Sequence, residues 1–134
     1  QLRKLKNYDL EGKVELLDSL NNSDSEATAS NRIKTVTRSL SSVIDNDDLT
    51  VATLNELLVG VGNGLVRANN LEYTGGEIFQ KSMRRLVGVL DEQVSLIKED
   101  NARKELSDYH NYMDKKYQQF LNRIKKSNDD EEDS

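Results

Sequence analysis

The chain has 134 residues, with 19 basic and 24 acidic side chains, a net charge of −5, one histidine, and neither proline nor cysteine. That length suits one domain burying roughly two thirds of its unfolded surface. Lack of cysteine removes disulfides, thiolate metal sites and cysteine nucleophiles, and a lone histidine makes a histidine-based metal centre or catalytic triad implausible within one chain.

A chain of this length without proline points to long helices, whose interiors exclude it. No apolar run approaches the roughly 20 residues that a bilayer span needs, so no membrane contact is expected. The sequence opens on Gln1 with no signal-peptide pattern and reads as a piece of a longer protein. Five carboxylates sit together in "DDEEDS" at the end. Taking those five from the 24 leaves 19 acidic against 19 basic residues, a balance that disfavours direct nucleic-acid binding by a broad basic face. Residues 127–134 are too polar to pack and are expected to form a disordered acidic tail after a helical domain over 1–126.

In "NYDLEGKVELLDSL" the spacing places Leu10, Val14, Leu17 and Leu20 on one helical face, with Asp9 as N-cap. Ser23 and Glu26 then have the spacing of a capping box, which starts a second helix carrying Ile33, Val36, Leu40, Val43 and Ile44. "DNDD" at 45–48 ends that helix and is expected to cap the next one. The third helix runs from near Leu49 through Leu54, Leu57, Leu58, Val61 and Leu65, and "YTGG" at 73–76 breaks the chain after it.

From 77 to about 126 the apolar positions keep a spacing near 3.5, first Phe79, Met83, Leu86, Val87, Leu90, Val94 and Ile97. Leu106, Tyr109, Met113, Tyr117, Phe120 and Ile124 follow in a second run. The phase slips across "KEDNARKE", which reads as one long helix with a stutter; a break into two helices is the alternative. The fold class is therefore all-α, three shorter helices plus one long C-terminal helix.

The densest motif is "GVGNG", residues 60–64. A phosphate-cradling loop needs a preceding strand and G-x-G-x-x-G or G-x-x-x-x-G-K spacing, and neither is present. Gly60, Gly64 and Ala68 recur every four residues instead, which on a helix makes a bare strip where a neighbouring backbone comes close. A loop splitting the third helix is the other reading.

A helix of roughly 50 residues would extend about 75 Å, beyond the reach of three short helices. Leu106, Tyr109, Met113, Phe120 and Ile124 would then lie bare, although each gains roughly 1.5–3 kcal/mol on burial. A second copy of the chain is the economical cover, giving a coiled-coil homodimer with those five residues as its seam. The alternative is that the helix folds back on its own domain.

His110 falls one residue after the proposed seam and reads as an exposed helical side chain, while Tyr109 and Tyr112 pack their rings and keep their hydroxyls wet. Carboxylate pairs such as Asp47-Asp48 and Asp91-Glu92 are explained by caps or a solvated face, so no catalytic residue, cofactor or metal is assigned. Ser127, followed by acids at 129–132, has the pattern of an acidophilic-kinase site.

The stretch "LLDSLNNSDSEATASNRIKTV", residues 16–36, resembles the RPRD family of RNA polymerase II transcription-termination regulators and their fungal relatives, which carry an N-terminal CTD-interacting domain. In that family a leucine-rich helix is followed by a small-acidic loop and a basic-Ile segment. "GNGLV" is similar to an Asn-Gly within a helical run there, and the sequence from Arg84 to Ile124 resembles the family's terminal coiled-coil helix. The resemblance implies a nuclear, non-enzymatic homodimerisation and docking module that meets protein partners of the termination machinery, including a 5′→3′ exonuclease complex. A coiled-coil subunit of an unrelated scaffold, such as a kinetochore or trafficking complex, is the competing class.

Overall fold

The computed structural model describes residues 25–47 and 49–133. The helix expected around Leu10–Leu20 and the side chains of Ser23 and Ser127 lie outside the described residues. Within them the chain is all-helical: α1 spans Glu26–Asp45, α2 Val51–Asn70, α3 Glu77–Ser95 and α4 Asp100–Asp133.

α1 begins at Ser25, whose hydroxyl accepts from the Thr28 N–H at 3.2 Å. The Glu26 carboxylate reaches a different helix. Its Oε1 accepts from the backbone N–H groups of Gly75 and Gly76 at 2.8 and 2.9 Å, and its Oε2 from the Thr74 hydroxyl at 3.0 Å. The carboxylate thus sits at the positive end of α3, where orphan N–H groups favour a negative charge. This ties the starts of α1 and α3 together, and the two helices run parallel. α2 is capped by Thr50, accepting from Thr53 N–H, rather than by the "DNDD" stretch.

The anticipated long helix over 77–126 is broken at residues 96–99. The reason is burial. A straight rod leaves the second apolar run in water, whereas a turn there sends α4 back antiparallel to α3 and alongside α2. Phe79 of α3 meets Phe120 of α4 with ring centroids 5.3 Å apart, and Tyr73 meets Phe79 edge-on at 5.5 Å. α2 and α4 run parallel: Tyr112 donates to Asn63 near the middle of α2, and Arg123 donates to Asn69 at its end. The closest helix pairs are α2 with α4 and α1 with α3.

The core joins both pairs, through Ile33, Val36 and Leu40 of α1, Leu54 to Leu65 of α2, Met83 to Leu90 of α3, and the inner face of α4. α4 continues to Asp133, so the backbone of the acidic tail is helical where disorder was expected. Extending an existing helix adds one hydrogen bond per residue with no new nucleus. No described helix is long and apolar enough to cross a membrane.

Candidate functional site

The five residues expected at a dimer seam occupy a different place. Leu106, Met113 and Phe120 are 0% exposed and Ile124 5%, all within the chain's own core, while Tyr109 is 40% exposed. The fold itself provides the cover that a second copy was expected to supply. Tyr109 drops out of the stripe because the covered face passes through half-buried His110, four residues after Leu106 and three before Met113, and leaves its neighbour Tyr109 outside.

The glycine strip is helical, as its four-residue recurrence implies. Gly64 and Ala68 are buried and Gly60 half-buried. The sharp close approach falls on Gly62, to which the sequence reading gave no role. A Cβ there would overlap the Tyr112 ring, with Cδ1 at 2.6 Å. The Tyr112 hydroxyl is not merely hydrated, since it donates to Asn63 Oδ1 at 2.7 Å.

α3 packs most closely on α1 and α4 on α2, so the space between antiparallel α3 and α4 stays open. It forms a groove of about 650 Å³. Met83, Val87 and Phe120, almost fully covered, form its floor, half-buried Leu121 adds apolar surface, and Glu77, Lys81, Arg84 and Asp91 supply its charges. Gly88 widens the opening, because a Cβ built there meets nothing within 4 Å. Tyr117 lines the wall, and burial holds its hydroxyl pKa above the usual tyrosine range, with the Arg84 charge opposing and Asp91 adding to the effect.

At the Asp91 end of the groove stands a three-membered cluster that sequence reasoning missed. His110 Nε2 lies 2.7 Å from Asp91 Oδ1 and 3.3 Å from Asp114 Oδ2. The histidine is therefore half-buried and partnered across the α3–α4 interface, not simply exposed. The spacing of His110 and Asp114, four residues apart on one helix, was legible; the third member depends on the chain reversal. These three groups, with ligand atoms within 4.8 Å of one another, are the ones among the described residues that could hold a metal ion. With a short His110–Asp91 bond already made, the arrangement acts as a hydrogen-bonded clasp between α3 and α4.

Burial raises the Asp114 pKa, and the Asp91 charge raises it further against the opposing pull of His110. A carboxyl held above its unfolded value makes the ionised form unfavourable to the fold, so its penalty is present at neutral pH and vanishes as pH falls below the unfolded value. Asp114→Asn is expected to raise the melting temperature at neutral pH, with the gain disappearing below about pH 3.9. Paired thermal melts at the two pH values check this, and a pH-independent difference would contradict it.

Comparisons with protein-family models, with curated proteins and with solved structures find no match to this chain.

Proposed function

We propose that this chain is a non-enzymatic protein-docking module whose α3–α4 groove receives an amphipathic helix of a partner protein. The groove itself carries the reading. It combines a narrow apolar surface, half-buried Leu121 and Tyr117 over a covered floor of Met83, Val87 and Phe120, with charges of both signs at Glu77, Lys81, Arg84 and Asp91. An incoming helix can bury an apolar stripe on the former and set complementary charges against the latter, the usual chemistry of helix-in-groove recognition. The resemblance of residues 16–36 and of the terminal helical region to the polymerase II termination regulators points to the partner class: nuclear termination proteins, with the 5′→3′ exonuclease complex as the first candidate.

A homodimer in this reading uses a surface other than the expected seam, because four of the five seam residues are covered within the chain. Among the described residues, exposed Leu71, Ile78, Leu96 and Tyr109 are the large apolar side chains available outside the groove.

The test is calorimetric titration of the chain with the purified nuclear 5′→3′ exonuclease complex, comparing wild type with Leu121→Glu and Gly88→Glu. Half-buried Leu121 and exposed Gly88 both line the groove. Wild type should bind, and each variant should bind at least about tenfold more weakly, a loss of about 1.4 kcal/mol. The absence of wild-type binding removes the termination assignment, and equal binding by the variants removes the groove.

A further inference from the structure

A second cleft, of about 280 Å³, opens between parallel α1 and α3. Lys34 and Arg38, one turn apart on α1, and Lys81 and Arg85, one turn apart on α3, line it with Thr37 and Ser82. Like charges four residues apart oppose helix formation, and here two such pairs share one cleft. Among the described residues no carboxylate lines it. The acids of α1 are Glu26 and Asp45 at its two ends, and Glu26 is engaged with the start of α3. Lys81 reaches Glu77 at 2.9 Å, with both side chains well exposed. Among the described residues Lys34, Arg38 and Arg85 have no ion-pair partner.

A second feature is independent of charge. Ser82 is 7% exposed and makes no hydrogen bond among the described residues. Four other helical hydroxyls behave differently: Ser30, Thr35, Thr37 and Ser41 each donate to the carbonyl four residues back. The Ser82 hydroxyl lines a cleft of cations, where an anionic oxygen would accept its proton.

We infer that the α1–α3 cleft binds a phosphate monoester carried on a partner protein, a phosphoserine or phosphothreonine side chain. Arg38 and Arg85 supply planar donor forks matched to phosphate oxygens, Lys34 and Lys81 supply point charges, and Ser82 supplies a neutral donor. Exposed Ile78, one turn before Ser82 on α3, offers an apolar shelf to the residue beside the phosphate. A nucleic acid is the poorer occupant. Its phosphates repeat along a strand and call for an extended basic track with stacking aromatics, whereas this cleft is short, contains no aromatic side chain and belongs to a chain of net charge −5. The cleft shares only Lys81 with the α3–α4 groove, so it stands whether or not that groove docks a helix.

The experiment uses the full 134-residue chain and fluorescence anisotropy. Its probes are a labelled glycine-serine peptide carrying one phosphoserine, the same peptide unphosphorylated, and a uridine oligonucleotide of equal length. The phosphopeptide should bind at least about tenfold more tightly than either of the others, and Arg38→Gln with Arg85→Gln should remove about tenfold or more of that affinity. Both arginines are exposed and each leaves a like-charge pair, so the double variant should melt no lower than wild type. In wild type, inorganic phosphate should shift the backbone amide resonances of residues 34–38 and 81–85 above all others. Equal binding of the two peptides, tighter binding of the oligonucleotide, undiminished binding by the double variant, or phosphate shifts scattered over the surface would each overturn the inference.

Discussion

Phe120→Ala is expected to destabilise the chain by about 3–5 kcal/mol, the range for emptying a core site of an aromatic ring. The ring is fully buried, packs against Phe79, and carries the Arg123 guanidinium 5.4 Å from its centroid. Arg123 in turn donates to Asn69 Oδ1 at 2.7 Å and to the Tyr73 carbonyl at 2.6 Å. Losing the ring therefore loosens the connection from α2 into α3 as well as the core. Denaturant unfolding measures the effect, and its concentration dependence decides what the residue packs against. A side chain buried inside one chain gives a midpoint independent of protein concentration, whereas one buried between two copies gives a midpoint that rises with concentration. Tyr109→Ala, at an exposed position of the same helix, is the control and should change stability by less than about 0.5 kcal/mol.

That contrast marks where the sequence was readable. The apolar spacing of Ile33, Val36, Leu40 and Val43, and of Leu54 to Leu65, predicts α1 and α2 with their buried faces, and "YTGG" predicts the gap before α3. Periodicity shows which residues of one helix share a face. It does not show what covers that face, and so Leu106, Met113, Phe120 and Ile124 were correctly picked as needing cover but given to a second copy. The decisive signal was the phase slip across "KEDNARKE", which fits either a stutter or a turn. Only packing distinguishes these, since a turn buries four large side chains and a stutter buries none of them in the chain itself. The Asp91–His110–Asp114 cluster and the α3–α4 groove depend on that turn, and the α1–α3 cleft on the parallel seating of α1 against α3, so none could be read from one helix alone. Glu26 is a milder case, because its local spacing to Ser23 suggested one cap while its carboxylate serves the start of another helix 50 residues away.

Gly75→Ala should cost about 2–5 kcal/mol, although it adds a single methyl group. Two independent penalties meet there. The residue has φ +72°, in the left-handed region where an L side chain costs roughly 1–2 kcal/mol. Its missing Cβ is also replaced by Ile124, whose Cγ1 and Cγ2 lie 2.8 and 3.1 Å from where a methyl would be built, and overpacking of this kind adds about 1–3 kcal/mol. Ile124 is buried between α4 and this turn and has little room to retreat. A double-mutant cycle separates the two penalties. Ile124→Ala removes the obstruction but not the backbone strain, so Gly75→Ala should be less harmful on that background by about 0.5–3 kcal/mol. Gly88→Ala is the counterpart: a helical position with nothing within 4 Å of the new methyl should gain up to about 1 kcal/mol from helix propensity. Opposite signs for the same chemical change at Gly75 and Gly88 follow directly from the seating of α4 on the 71–76 turn. If both substitutions prove neutral, Ile124 does not pack against that turn, and the return of α4 onto its own chain loses its anchor at this end.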